Sequence, residues 1–145
     1  MNIFDFWQKW LFGLGLVMVG FGLALAFFSG TVVFSIFDQH INPVFWQGIT
    51  PPEAAVFQRW IYAVLGATMA GWGVCVAFMA NFPYRKRERW VWNALAGAII
   101  VWFCVDTFYS LLFRVFFNAI FNTLLFLAAV LPLAFTRRYF QESEP

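Results

Sequence analysis

Charge is scarce in this 145-residue sequence: Asp, Glu, Lys and Arg together make up 11% of it, where a soluble domain carries roughly 25%. Histidine occurs once, as His40, and cysteine twice, as Cys75 and Cys104. Zinc and haem sites draw on several protein ligands, so a lone histidine gives them no foundation. There is no H-E-x-x-H, CxxC, G-x-S-x-G or Walker-type loop, which leaves hydrolytic and metal-redox chemistry without a motif. No cofactor and no metal are expected. The net charge of +2 is too small to point to a nucleic-acid partner.

What the chain has in abundance is apolar surface. Hydrophobic residues make up 63%, including 21 Phe, 8 Trp and 4 Tyr among the aromatics, and the mean hydropathy is +0.75. Four apolar runs, at about residues 10–28, 57–79, 91–113 and 115–135, each approach the ~20 residues that cross a bilayer core. The expected fold is therefore all-α: an integral membrane four-helix bundle, one domain over residues 1–145, with residues 29–56 as an external or interfacial connection.

Charge distribution sets the expected orientation. Lys9, Arg85, Lys86, Arg87, Arg89, Arg137 and Arg138 fall on one side of a four-span chain, against Arg59 and Arg114 on the other. The positive-inside rule then places both termini in the cytoplasm. The first run is longer than the ~7–15-residue core of a cleaved signal peptide, so it is read as a retained span. At ~1.5 Å rise per residue the two cysteines lie at depths about 10 Å apart, too far for a disulfide.

Small residues mark close helix contacts. Gly20/Ala24 and Gly22/Ala26 form small-xxx-small pairs in the first span. Along the second, Arg59, Ala63, Gly66, Ala70, Gly73 and Ala77 recur three or four apart on one face. At 50–53, TPPE predicts a helix start near residue 51, with Thr50 as cap and Glu53 completing a capping box. Trp10, Trp60, Trp90 and Trp92 sit near span ends, where interfacial belts form.

The polar exception is Asp106, buried in the run AIIVWFCVDTFYSLLF. Arg114 marks a tight turn between the third and fourth spans, which predicts that Ser110 lies level with Asn118 and Asp106 level with Asn122. An aspartate within a span costs some 2.5–3.5 kcal/mol on insertion scales, so it should face the interior and find a partner. The candidate ligand-binding residues are Asp106, Ser110, Asn118, Asn122 and Arg59, the last reaching down from the second span. No second intramembrane carboxylate or histidine is present to form an acid–base pair, so no catalytic residue is assigned.

The segments WIYAVLGATMAGWG (60–73), RERWVWNALAG (87–97) and VDTFYSLLFRVFFNAIFNTLL (105–125) resemble a group of small bacterial four-span inner-membrane proteins to which no activity is assigned. In architecture the chain is also similar to DoxX-like four-helix membrane proteins. The resemblance implies a multi-pass protein of the bacterial inner membrane and carries over no functional residue. The expected function is to bind or move a lipid-like or small amphiphilic ligand through an outward-facing polar pocket around Asp106. The alternative is an accessory subunit of a larger membrane complex, and a lipid-modifying enzyme stands behind both. Expected partners are membrane lipids, with a membrane-protein partner or a second copy of the chain as further candidates.

Overall fold

The computed structural model describes residues 2–141. The chain runs through α1 (Ile3–Phe28), a 3-10 turn at Val32–Phe34, α2 (Ser35–Phe45), α3 (Pro52–Asn81), α4 (Arg89–Leu112), α5 (Phe116–Thr136) and a closing 3-10 turn at Arg137–Phe140, with no strand among the described residues. Helices α1, α3, α4 and α5 are each long and apolar enough to cross a membrane. The result is the expected all-α four-helix architecture, with the start of α1 and the closing 3-10 turn on the same end as the α3–α4 connection. This is called the basic end below.

The start of α1 overruns its apolar run because a cap, not hydropathy, sets it. Asn2 caps α1 by accepting from the Asp5 N–H at 2.7 Å, so α1 begins well before Trp10. The expected capping box at 50–53 does not form. Pro51 occupies the cap position, Pro52 begins α3, and no side chain caps the helix. Thr50 Oγ1 instead accepts from Asn42 Nδ2 at 3.0 Å. Glu53 remains in the first turn of α3, where an acid favours the helix dipole.

Packing follows the order α3, α1, α5, α4. The α1–α3 seam is the closest. Gly15 and Gly22 face Gly73 and Gly66, with Ala70 and Ala77 completing the stripe. A Cβ at Gly22 would lie 2.5 Å from the Gly66 carbonyl oxygen, and one at Gly73 would lie 2.6 Å from that of Gly15. Backbones approach so closely only where side chains are missing, which is how helices gain dispersion contacts in lipid. Of the two pairs expected on α1, Gly22/Ala26 lies in this seam, whereas Gly20 has nothing within 4 Å.

All four long helices meet in one core at the basic end. Phe4 and Leu11 of α1, Val76 and Ala80 of α3, Val91, Leu95 and Ile99 of α4, and Ala129 and Leu133 of α5 form it with Tyr84 and Phe140. Tyr84, fully buried in the α3–α4 connection, hydrogen-bonds through its hydroxyl to Thr136 Oγ1. Burial raises its phenol from the usual 10.0 to about 12. Gln8 Nε2 donates to the Ala80 carbonyl at 3.0 Å.

Pro132 lies inside α5. Proline has no N–H, so the carbonyl four residues earlier, on Ala128, loses its helical donor. Trp10 Nε1 supplies one across the interface at 2.9 Å, and Trp92 Nε1 likewise donates to the Leu133 carbonyl at 3.0 Å. These two tryptophans, expected as belt residues, therefore also fasten α1 and α4 to α5.

The opposite half is less closed. Its core cluster draws Leu25, Phe34 and Tyr62 from α1, the first 3-10 turn and α3, with no buried member from α4. Beyond Ile99, no residue of α4 is fully buried until Ser110. The connection expected over residues 29–56 ends where α3 begins at Pro52, and it folds in part into α2, whose Phe37 packs edge-on against Phe117 of α5 at 5.4 Å between ring centroids.

Candidate functional site: a polar layer between α4 and α5

The α4–α5 turn fixes the register of the site. Arg114 takes the left-handed conformation at φ 60°, the place usually given to glycine. The Val115 N–H bonds the Ser110 carbonyl at 2.7 Å, and the Arg114 N–H bonds that of Leu111 at 3.0 Å. This is the paired closure of a Schellman motif. With the next helix starting at once, the hairpin is tight and antiparallel.

Register then brings the polar residues together. Asn118 Nδ2 donates to Ser110 Oγ at 2.8 Å and to Asp106 Oδ1 at 2.9 Å, using both amide protons. Ser110 Oγ donates toward the Asp106 carbonyl at 2.8 Å, with Oδ1 at 3.2 Å. The expectation that Ser110 and Asn118 share a level is met. Asp106, however, bonds Asn118 rather than Asn122. Its Oδ1 is held by α5, and its Oδ2 accepts no hydrogen bond from the described residues.

Deeper in the hairpin, Phe103 stacks on Phe126 at 4.2 Å. Between that stack and the Ser110–Asn118 pair lie Thr107 and Asn122. Asn122 is only 2% exposed, and both its Nδ2 and Thr107 Oγ1 are buried with no hydrogen-bond partner. One layer thus contains a half-satisfied carboxylate and two unpaired donor groups. Each unpaired buried group costs about 1–3 kcal/mol.

Arg59 does not join this layer. It lies on α3, which packs on α1, and its guanidinium rests against Gly30, where a Cβ would meet Nε at 2.8 Å. Gly30 has φ +84°, a backbone conformation that favours glycine there. The helix order, rather than the reach of the side chain, separates Arg59 from Asp106.

A second polar cluster was not foreseen. Gln58 Nε2 donates to Asn42 Oδ1 at 2.7 Å, Tyr62 Oη at 2.8 Å and Asp38 Oδ1 at 3.1 Å, three acceptors shared between two protons. It clasps α2 to α3. The signal was present as Gln58 and Tyr62 one turn apart, but without α2 as a helix nothing placed Asp38 and Asn42 opposite them. His40 stacks on Phe117 at 4.6 Å, and its Nδ1 lies 2.8 Å from the Ile36 carbonyl. Among the described residues no group of His, Cys, Asp and Glu is arranged to hold a metal, and Cys75 and Cys104 are both free and exposed.

The fold and the lipid-facing apolar surface of its long helices define a helical multi-pass membrane protein. Comparisons with protein-family models, curated proteins and solved structures find no match to this chain.

Proposed function

We propose that this chain is a bacterial inner-membrane protein, with both termini in the cytoplasm, that binds or moves a lipid-like or small amphiphilic molecule by its polar head at the Asp106 layer. The observation that carries the reading is the pair of unpartnered buried donors, Asn122 Nδ2 and Thr107 Oγ1, beside the free Oδ2 of Asp106. A head group offering both an acceptor and a donor, such as a hydroxyl or an amide, would satisfy all three. Access is from the outer leaflet, because the four helices share a core at the basic end while no residue of α4 from 100 to 109 is fully buried. The resemblance to small bacterial four-span proteins and the lysine and arginine bias support the membrane and the orientation.

Native mass spectrometry of gently extracted protein tests this reading, with wild type beside Asp106→Asn and Asn122→Leu. A bound small molecule present in wild type and absent from both folded variants is the expected result. A bare wild type, with an Asp106→Asn variant that comes apart, would make the layer a structural clamp and overturn the proposal.

A second reading, an accessory subunit of a larger complex, draws on Gly13 and Gly20. Both lie on α1 with nothing within 4 Å, leaving a small-residue groove toward lipid. A stoichiometric membrane-protein partner at native expression would favour it.

A further inference from the structure

A concave site lies at the basic end, remote from Asp106. A cleft of about 470 Å³ opens between the start of α1 and the end of α5, lined by Ile3, Ala134, Phe135, Arg137, Arg138 and Gln141. Its chemistry is divided: Ile3, Ala134 and Phe135 make an apolar floor, and the two arginines with Gln141 make a polar rim. We propose that this cleft binds an anionic glycerophospholipid of the adjoining leaflet, with its phosphate between Arg137 and Arg138 and an acyl chain along Phe135.

Three features carry the assignment. Arg137 and Arg138 are adjacent, exposed cations that form no ion pair with the described residues, and two like charges side by side favour an anion between them. Both guanidinium groups are held in place by aromatic rings. Arg137 lies 5.8 Å from the Trp92 centroid. Arg138 lies 4.9 Å from that of Tyr139 and donates to its hydroxyl at 2.9 Å. A third cation, Arg87, sits 5.3 Å from the same Tyr139 ring, brought there by a left-handed turn at φ 60°. Positioned guanidinium groups match phosphate oxygens in a way that a mobile basic tail does not. The apolar floor continues onto the exposed Phe135 of α5, as a chain entering the bilayer requires. A soluble phosphate would make no use of that floor.

The test titrates delipidated full-length protein in detergent with phosphatidylglycerol and with phosphatidylcholine, counting bound lipids by native mass spectrometry. Wild type should prefer the anionic lipid. Arg137→Gln/Arg138→Gln should weaken phosphatidylglycerol binding about tenfold or more, as two interfacial cations warrant. Arg85→Gln/Lys86→Gln, which removes equal charge outside the cleft, should leave it nearly unchanged. Arg138→Gln alone disturbs only the Tyr139 contact, so its loss of binding guards against misfolding of the double variant. Equal weakening by both double variants would show general surface attraction and overturn the proposal. So would displacement of the bound lipid by millimolar glycerol phosphate, which would make the cleft a soluble-phosphate site.

Discussion

Replacing Gly22 by alanine should separate α1 from α3. The added Cβ would stand 2.5 Å from the Gly66 carbonyl oxygen and 2.6 Å from the Ala70 nitrogen. Both are backbone atoms, so no side-chain rotation can relieve the clash. Ordinary contact begins near 3.4 Å, so the helices must part by about 0.9 Å, and a gap of 0.5–1 Å already forfeits a quarter to a half of each dispersion well along the interface. Overpacking of this kind costs about 1–3 kcal/mol, against an intrinsic gain of ~0.8–1 kcal/mol for alanine over glycine in a helix. The expected net effect is a destabilisation of about 1 kcal/mol, within a range of about 0–2 kcal/mol. Gly20 supplies the control, because nothing lies within 4 Å of its position and only the propensity gain remains. Reversible unfolding in mixed dodecylmaltoside and SDS micelles, followed by tryptophan fluorescence, measures the difference. Equal unfolding curves for Gly22→Ala and Gly20→Ala would refute the seam as the main contact between α1 and α3.

Two further outcomes follow from the two ends of the molecule. Burial holds the Tyr84 phenol up at about 12 against an ordinary 10.0. The unfolded chain therefore releases this proton first, and the stability it represents is complete below pH 10 and falls as pH rises toward 12. Unfolding midpoints taken across that window should decline less steeply in Tyr84→Phe than in wild type, and parallel declines would contradict the assignment. Removing the Gln58 amide with Gln58→Ala should release α2, which buries no residue of its own. Hydrogen exchange should then rise over residues 35–45 and stay unchanged along α1, and an unaltered α2 would show that its aromatic contacts suffice.

Much of the architecture was legible because a membrane span is a long, simple signal. The four helices and the small-residue stripe of Gly66, Ala70, Gly73 and Ala77 follow from hydropathy and period, and the polar hairpin register follows from the turn at Arg114. Partner choice was less readable. Asp106 could be matched by depth to Asn122, but which amide reaches it depends on side-chain direction, and Asn118 gains both Ser110 and Asp106 at once. Arg59 shares a face with the glycine stripe, and that face turns to α1. Trp10 and Pro132 are separated by most of the chain, so their joint repair of the Ala128 carbonyl could not be found by any local pattern.

That repair has a consequence for biogenesis. Synthesis brings α1 into the bilayer before α5, and until the two meet the Ala128 carbonyl faces hydrocarbon without a donor, a state that costs several kcal/mol in a membrane. The indole of Trp10, which donates to it at 2.9 Å, joins α1 to the later-made α5. A half-assembled chain thus carries a polar blemish that is erased when α1 and α5 clasp. A cell that surveys nascent membrane proteins for exposed polar groups could distinguish the finished molecule from an arrested one by this single bond.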